Sequence, residues 1–218
     1  MLVLRPEPGA SETARRARDL GLEVVAIPLF EVEPVAWAIP AAERFDALLL
    51  TSANAVRCAG EGLRQLRAVP AHAVGAVTAD AAREAGLAVA SRGDDGIDGL
   101  LASIPADLAL LHLCGKHRRP PLEARHKITA IPVYRAKAIP RPELADAKHA
   151  VALIHSPRAG ERFAELVGDR STVAIAAISA AAAAAVGAGW ERVDTAAHPT
   201  DDALLALAAR LCNISAPQ

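Results

Sequence analysis

The sequence has no excess of either charge and little cysteine, and each shortage excludes functions. Its 24 Lys and Arg residues against 25 Asp and Glu residues leave a formal net charge of −1. A nucleic-acid surface or polybasic membrane patch needs a marked excess of Lys and Arg, which this sequence lacks. Any anionic ligand must therefore be bound by a local group of residues. Three cysteines without CxxC spacing, Cys58, Cys114 and Cys212, indicate a reducing compartment rather than a disulfide framework. We interpret all three as small buried apolar residues.

Signatures of several enzyme and membrane classes are also missing. The chain contains no P-loop, no GxGxxG fingerprint and no Ser/His/Asp order of a hydrolase. The apolar run before Arg5 is too short for a secretory signal, and we therefore expect a cytoplasmic protein. The uncharged stretch 171–190 has the length of a spanning helix, but its counterpart at 69–87 carries charged residues, which favours a soluble segment.

One group of titratable residues resembles part of a metal site. His112 and Cys114 alternate along a predicted strand and share a face, and His117 and His126 follow downstream. No second close pair of ligands completes a zinc site, so this metal alternative is weak and we expect no bound metal.

The chain repeats itself, and the repeat carries most of the structural information. FDALLLTSANAV from Phe45 returns as HAVALIHSPRAG from His149, and each is followed about 25 residues later by an apolar segment that ends in glycine. In these two segments Thr78 and Ser179 each stand eight positions before the glycine. A weaker echo links LVLRPEPG near the N-terminus with LALLHLCG in the middle. We call the weakly repeated segments A and A′ and the strongly repeated segments B and B′. Their order along the chain is therefore A, B, A′, B′.

Short apolar runs rich in Val, Leu and Ile alternate with helical stretches. Continuous apolar runs are typical of parallel strands covered on both faces, so the pattern predicts an α/β fold with doubly wound parallel sheets. The predicted strands cover 2–4, 24–27, 47–50, 72–74, 109–113, 128–133, 151–154 and 173–175. Helix starts are predicted at Ser11, at Ser52 or Asn54 (running to Leu66), at Thr78, at Pro157, at Ser179, and at Thr200 or Asp201.

Prolines mark two linkers, at about 31–37 and 134–140, each after an A-type segment. Cutting there leaves an inserted domain, 37–134, made of B and A′. The flanking pieces form one discontinuous domain, 1–33 plus 138–218, because the first piece cannot bury a core alone. We therefore expect two domains of similar topology joined by a two-stranded linker. The alternative is a tandem division into 1–105 and 107–218, which ignores the prolines.

Several short motifs in a fixed order span nearly the whole chain. They are Arg5-Pro6, Leu50-Thr51-Ser52-Ala53-Asn54-Ala55-Val56, Val74-Gly75 with Thr78 and Gly86, the Gly115 loop, Val133-Tyr134, Ser156-Pro157, and Ala174-Ile175 with Ser179. In this order and spacing they resemble the uroporphyrinogen III synthase family of tetrapyrrole biosynthesis. The segment from Gly115 to Tyr134 is a few residues shorter than the family pattern, and Ser179 stands where the family has threonine.

The resemblance implies an enzyme, a cyclising hydro-lyase that dehydrates hydroxymethylbilane and closes it into uroporphyrinogen III. Ring D is inverted through a spiro intermediate, in a cleft between the two domains. The resemblance also implies a linear tetrapyrrole as small-molecule partner and no metal or organic cofactor. We further expect a cytoplasmic monomer without nucleic-acid or membrane partners, in transient contact with the preceding pathway enzyme. The alternative function is a two-lobed intracellular sensor that binds a small anion without catalysis.

The substrate of that family carries many carboxylates, so hydroxyl, backbone N–H and cationic groups at strand ends are the candidate ligands. Each hydroxyl residue has a competing interpretation as a plain helix cap, and each cation as a solvated surface charge. The predicted substrate-binding residues are Arg5, Thr51, Ser52, Asn54, Thr78, Gly115, Lys116, Ser156, Arg158 and Ser179, with Arg118 as a further cation.

Tyr134, the only tyrosine in the chain, is the predicted catalytic residue. Its phenol is neutral at physiological pH and can donate a proton or a hydrogen bond to the departing hydroxyl. The competing interpretation is an aromatic ring packed at the hinge of the linker, matching Phe30 in the first half.

Overall fold

A computed structural model of the chain describes residues 1–94, 96–118, 120–122, 125–144 and 147–215. The strands are Leu2–Val3 (β1), Val25–Ala26 (β2), Phe30–Pro34 (β3), Ala47–Leu50 (β4), Ala71–Val74 (β5), Val89–Gly93 (β6), Ala109–Gly115 (β7), Lys127–Ala138 (β8), Val151–Ile154 (β9), Ala174–Ala177 (β10) and Arg192–Thr195 (β11). The helices are Gly9–Asp19 (α1), Ala53–Ala59 (α2), Ala76–Glu84 (α3), Gly96–Ser103 (α4), Pro157–Leu166 (α5), Ala180–Ala185 (α6) and Asp201–Ser215 (α7). Short 3₁₀ helices cover Ala42–Arg44 and Gly60–Leu66.

The chain divides into two compact units. One unit combines Met1–Glu31 with Ala138–Gln218, and we call it the discontinuous unit; its residues 216–218 lie outside the described part of the chain. The other is the contiguous segment Val32–Lys137, which we call the inserted unit. The boundaries fall within β3 and at the end of β8.

The inserted unit contains a six-stranded sheet in the order β3-β8-β7-β4-β5-β6, in which the pairings from β8 to β6 are parallel. Alternate residues of β4 enter two different cores. Leu48 and Leu50 pack with buried residues of α2 and α3, whereas Ala47 and Leu49 pack with buried residues of α4. Because successive side chains of a strand point to opposite faces, helices cover both faces of this sheet.

The discontinuous unit contains a five-stranded sheet in the order β11-β10-β9-β1-β2, with parallel pairing throughout. On one face Leu153 of β9 packs with Leu204 of α7. On the other face α5 approaches closely at Gly160, where a Cβ atom would lie 3.0 Å from Val186 and 3.4 Å from Ile154. This sheet is therefore also covered on both faces.

The predicted fold class, α/β with doubly wound parallel sheets, is confirmed. Besides β3, which falls at the first predicted linker, two strands and one helix were not predicted: β6, β11 and α4. β6 and β11 each lie at one edge of a sheet and have partly exposed, polar sequences, VASRG and RVDT. Because their side chains are only partly covered, these two strands lack the continuous apolar run that revealed the central strands.

Two predicted helix starts are wrong. α1 begins at Gly9 rather than at Ser11, because the Glu7 carboxylate accepts hydrogen bonds from the Ser11 backbone N–H at 3.0 Å and from its hydroxyl at 2.9 Å. α3 begins directly after Gly75, which follows the last residue of β5 and whose φ of +79° favours glycine. Thr78 therefore lies in the first turn of α3 and does not cap it.

The predicted helix from Ser52 to Leu66 ends early. Ser52 does cap α2, but α2 stops at Ala59 because Gly60 adopts a φ of +59°, a left-handed conformation that favours glycine. The chain then continues as the 3₁₀ helix Gly60–Leu66.

The interpretation of the three cysteines as buried is correct only for Cys114. Cys58 and Cys212 are partly exposed, because each lies on a helix whose outer face meets water. Among the described residues, no helix is long and apolar enough to cross a membrane. The uncharged stretch 171–190 instead forms β10, α6 and the turns around them.

Candidate functional site

The carboxyl ends of three neighbouring strands meet at one edge of the inserted unit. β7, β4 and β5 are adjacent and parallel, so the residues that follow them lie at the same edge of the sheet. Thr51 and Ser52 follow β4, Gly115 ends β7, and Thr78 lies in the first turn after β5. The structure therefore places the predicted residues of this unit together at one edge, with Asn54 and Lys116 beside them.

Ser52 shows how one hydroxyl can serve both as a helix cap and as a ligand donor. Its Oγ accepts a hydrogen bond from the Asn54 backbone N–H at 3.2 Å, which satisfies one of the free donors at the start of α2. The cap uses an oxygen lone pair, and the hydroxyl hydrogen remains a donor for a second group. Capping and ligand binding are thus compatible at this residue.

Tyr134 lies on β8, directly opposite Gly115 of β7. Its carbonyl accepts a hydrogen bond from the Lys116 backbone N–H at 2.8 Å, and its ring lies against Gly115. A Cβ atom at position 115 would lie 2.8 Å from the ring Cζ and 2.9 Å from the phenol oxygen, so only glycine leaves room for this ring position. Burial raises the pKa of Tyr134, and a hydrogen bond with Ser52 opposes that shift. The phenol therefore keeps its proton at neutral pH.

His112 is a polar contact of this edge that the sequence did not assign to substrate binding. It pairs with Leu49 across β7 and β4, and its Nε2 lies 3.0 Å from Thr51 Oγ1. The side chain is 2% exposed. Burial, followed by repulsion from Arg118, lowers the pKa of His112 to about 4, so the imidazole is neutral at physiological pH.

The metal alternative is not supported by the structure. Within the described ranges, no three His, Cys, Asp or Glu side chains are grouped to hold a metal ion. Two of the proposed ligands are engaged elsewhere: Cys114 Sγ contacts the Ile131 carbonyl at 3.6 Å, and His126 Nε2 contacts the Leu101 carbonyl at 3.1 Å.

The discontinuous unit has a comparable edge. β10, β9 and β1 are adjacent and parallel, and Ser179, Ser156 and Arg5 follow them in that order. The two serines cap the helices behind them: Ser156 Oγ accepts from the Ala159 N–H at 3.2 Å and Ser179 Oγ from the Ala182 N–H at 3.3 Å. Arg5, Ser156 and Ser179 are thus brought together at one edge.

Asp201, the first residue of α7, is the centre of a polar network at this edge. Its carboxylate accepts from Arg16 Nη1 at 2.7 Å, from His155 Nε2 at 2.9 Å and from Thr13 Oγ1 at 3.1 Å. Arg5 Nη1 is more distant, 3.5 Å from Asp201 and 3.3 Å from Thr13 Oγ1. The Arg5 guanidinium therefore contacts groups of α1 and α7, in a network that also includes His155.

The charges of this network follow from burial and hydrogen bonding. Burial by itself raises the pKa of Asp201, but the hydrogen bond from His155 and the nearby Arg5 outweigh burial, and the pKa is lowered. Burial lowers the pKa of His155 more than its bond to Asp201 raises it. Asp201 is therefore ionised and His155 neutral at physiological pH.

The remaining predicted cations have different surroundings. The Arg158 guanidinium lies 4.4 Å above the centre of the Phe30 ring, a cation–π contact that ties the first turn of α5 to the start of β3. The Lys116 side chain is exposed. Of the predicted cations of the discontinuous unit, Arg5 lies in the polar network and Arg158 lies on an aromatic ring.

Sequence reasoning missed His112, and in the discontinuous unit it missed four more residues of the polar network. His155 directly precedes the Ser156-Pro157 motif, and Thr13 and Arg16 stand three residues apart on one face of α1. Asp201 was considered only as a helix cap. The signals that could have revealed the network are the histidine beside a predicted ligand and the polar pair on an otherwise apolar helix face.

The two units together define a class of protein. Each is a parallel α/β unit whose central strands end in hydroxyl-bearing helix caps, the position at which such folds bind small ligands. The model of the uroporphyrinogen-III synthase HemD family matches residues 11–206. The chain therefore belongs to the uroporphyrinogen-III synthase family, which confirms the resemblance seen in the motifs.

Solved structures of family members share the fold. Uroporphyrinogen-III synthetase from Helicobacter pylori superposes with a TM-score of 0.66 at 21% identity, covering 86% of this chain and 93% of that one. A mutant uroporphyrinogen III synthase from the extremely thermophilic bacterium Thermus thermophilus superposes with a TM-score of 0.57 at 19% identity, covering 98% of both chains. No curated protein sequence gives a significant match. The function of the chain is that of its family, the synthesis of uroporphyrinogen III in tetrapyrrole and haem biosynthesis.

Proposed function

We propose that the chain acts as a cofactor-free lyase, which cyclises and dehydrates hydroxymethylbilane to uroporphyrinogen III with inversion of ring D. The observation that carries the proposal is the occurrence, in each unit, of hydroxyl and cationic groups at the carboxyl ends of adjacent parallel strands. This arrangement suits a flexible substrate with many carboxylates, because donors spread over two sheet edges can hold it at several points.

Substrate binding is the first task of these edges. In the inserted unit we propose Thr51, Ser52, Asn54, Thr78, Gly115 and Lys116 as the binding residues, and in the discontinuous unit Arg5, Ser156, Arg158 and Ser179. Ser156 and Ser179 each have a hydroxyl hydrogen to donate, since their caps use oxygen lone pairs. The Ser52 hydroxyl also hydrogen-bonds Tyr134, which links this cap to the proposed proton donor. Fixing the substrate at several points restricts its conformations, and this supplies a large part of the rate enhancement.

Tyr134 is proposed as the donor to the departing hydroxyl. Its phenol keeps its proton because burial raises its pKa, and the close fit against Gly115 fixes the ring. A fixed, partly desolvated phenol can hydrogen-bond the hydroxyl as it leaves as water. The substituted carbon of ring D then attacks the cation that remains on the substrate, and the resulting spiro intermediate rearranges to the inverted macrocycle. The proton released on ring closure balances the proton that left with the hydroxyl as water. The enzyme contributes position and electrostatic support, so single substitutions should have moderate effects.

The proposal is tested by incubating the purified protein with freshly generated hydroxymethylbilane and separating the isomers by chromatography. Wild-type protein, dialysed against a chelator, should give isomer III well above the spontaneous background. Tyr134→Phe should lower the rate about tenfold or more, since a general acid contributes at least about 100-fold when fully effective. Equal rates and isomer ratios for Tyr134→Phe and wild type would remove Tyr134 from the mechanism.

We also propose that the protein is a cytoplasmic monomer that meets the preceding pathway enzyme only transiently. The three cysteines are free, as is usual in a reducing compartment. Light scattering at micromolar concentration and cell fractionation test these points. A stable dimer or a periplasmic location would overturn them.

A further inference from the structure

His112 makes a specific polar contact that the proposed mechanism does not use. It lies in the middle of β7, is 2% exposed, and places Nε2 3.0 Å from the hydroxyl oxygen of Thr51. Thr51 itself is half-buried at the carboxyl end of β4, among the proposed substrate ligands. A polar side chain so deeply buried needs a hydrogen bond, but a hydrophobic residue would fill the same place without one.

The direction of this hydrogen bond decides what Thr51 offers to a ligand. Burial keeps the imidazole neutral, with a pKa of about 4, so one ring nitrogen donates and the other accepts. If Nε2 accepted from Thr51, the hydroxyl hydrogen would point into the protein and only lone pairs would face outward. If Nε2 donates, the hydroxyl hydrogen is directed outward, where it can bind a carboxylate.

We propose that His112 is a positioning residue, which donates from Nε2 to Thr51 Oγ1 and so directs the Thr51 hydroxyl hydrogen toward a carboxylate of the substrate. This inference rests on the proposed function, because it assumes an anionic ligand at the edge of the inserted unit. The chain of two hydrogen bonds is cooperative, since each bond polarises the next. Arg118 acts electrostatically on His112, which places a further cation near the same edge.

A second buried histidine provides a matched control. His72 on β5 is 8% exposed, and its Nδ1 lies 2.7 Å from Ser91 Oγ on β6. The two histidines share a sheet, similar burial and a hydroxyl partner. Only the partner of His112 is a proposed substrate ligand. A general structural effect of removing a buried imidazole should therefore appear in both variants, and a positioning effect only at His112.

Steady-state kinetics with hydroxymethylbilane test the proposal. His112→Leu should raise KM about fivefold and leave kcat within about twofold, because a hydrogen bond to a charged group is lost or misdirected. His112→Gln retains an N–H donor and should restore most of the affinity. Thr51→Val should raise KM as much as His112→Leu, and the double variant should be no worse than either single one. His72→Leu should leave KM unchanged.

Three results would overturn the proposal. They are an unchanged KM in folded His112→Leu, a multiplicative rise in the double variant, or an equal rise in His72→Leu. If His112→Leu does not fold, the test uses the KM values of Thr51→Val, Thr51→Ser and His112→Gln instead. Of these three variants, only Thr51→Val should have a raised KM.

The tautomer of His112 can be measured without any activity. Long-range ¹H–¹⁵N correlation spectra of the wild-type protein should show a neutral imidazole protonated at Nε2 between pH 6 and pH 8. Protonation at Nδ1 would overturn the proposal even in an active enzyme. Conversely, an Nε2–H signal in a protein that makes no isomer III would refute the proposed function and leave the hydrogen bond in place.

Discussion

The contact between Gly115 and Tyr134 gives the sharpest prediction for a single substitution. In Gly115→Ala the new Cβ atom would lie 2.8 Å from the ring Cζ of Tyr134 and 2.9 Å from its phenol oxygen. Non-bonded carbon atoms normally approach to about 3.5 Å, so the ring must move by about 0.7 Å. Gly115 is not among the glycines with positive φ, so the alanine adds no backbone strain of its own. A displaced ring should register in kcat, whereas a lost substrate contact at Gly115 itself should register in KM.

The expected loss follows from this displacement. A misplacement of about 1 Å of a reacting group can cost about 100-fold in rate, so we expect Gly115→Ala to lower kcat about 10-fold to 100-fold. Overpacking at this site should also cost about 1–3 kcal/mol of unfolding free energy. The assay is the initial rate of isomer III formation, measured beside urea unfolding to establish that the variant is folded.

Two comparisons separate the ring displacement from other effects. Gly168→Ala introduces a methyl group where no atom lies within 4 Å, and it should change neither rate nor stability. In a Tyr134→Phe background, Gly115→Ala should add little further loss of rate, because the phenol it displaces is already missing. An unchanged rate in folded Gly115→Ala, or a full additional loss in the double variant, would show that the position of the Tyr134 ring does not set the rate.

Three further predictions concern stability. The pKa of histidine is near 6.5 in the unfolded chain, and the pKa of His112 in the fold is about 4. His112 therefore contributes stability above pH 6.5 that is lost progressively as the pH falls toward 4, about 3 kcal/mol in all. His112→Gln should flatten the dependence of the unfolding free energy on pH, measured by urea unfolding, and an unchanged dependence would contradict the neutral, buried imidazole. Asp201→Asn should cost about 3 kcal/mol because it leaves Arg16 and His155 without their charged partner, whereas Asp202→Asn, at a side chain that is 86% exposed, should cost under about 0.5 kcal/mol. Because the pKa of Asp201 is lowered in the fold, the stability that it contributes is present at neutral pH and is lost as the pH falls through its folded pKa. Equal losses of unfolding free energy in Asp201→Asn and Asp202→Asn would show that the network does not stabilise the fold. Ser156→Ala should cost about 1 kcal/mol through the lost cap of α5, and Ser156→Gly only a few tenths; the opposite ranking in thermal unfolding would show that the cap is not what stabilises α5.

The sequence predicts the positions of the central strands because buried parallel strands leave continuous apolar runs. Ala47–Leu50 and Val151–Ile154 are such runs, and both are fully buried. The repeat misleads at Thr78 and Ser179, which occupy equivalent sequence positions but different helix positions. Gly75 allows α3 to start at Ala76, two residues before Thr78, whereas Ala176, which matches Gly75 in the repeat, remains in β10. One glycine is enough to shift a strand end within a repeat.

The predicted site residues form two groups at strand ends, and this much follows from topology. Residues after adjacent parallel strands lie at one edge, whatever side chains they carry. The partners of those residues do not follow from topology. The Asp201 carboxylate accepts hydrogen bonds from Thr13, Arg16 and Arg5, which lie about 190 residues away in the sequence. No local sequence pattern predicts so distant a contact.

His112 illustrates a second limit of the sequence. In the segment His112-Leu113-Cys114, the histidine and the cysteine alternate as a pair of metal ligands on a strand would. The same spacing also fits two residues on one buried face of a strand. Only its position beside Leu49, two residues before Thr51, identifies its partner as a hydroxyl. The register between β4 and β7 supplies that information, and register is set by packing of the whole sheet.

The fraction of isomer III formed from fresh hydroxymethylbilane reports directly on ring D inversion by this protein. The wild-type protein should convert hydroxymethylbilane mainly to isomer III, in a proportion that rises with protein concentration until the spontaneous reaction is outcompeted. Formation of isomer I alone at every protein concentration, from folded protein, would show that the chain does not invert ring D.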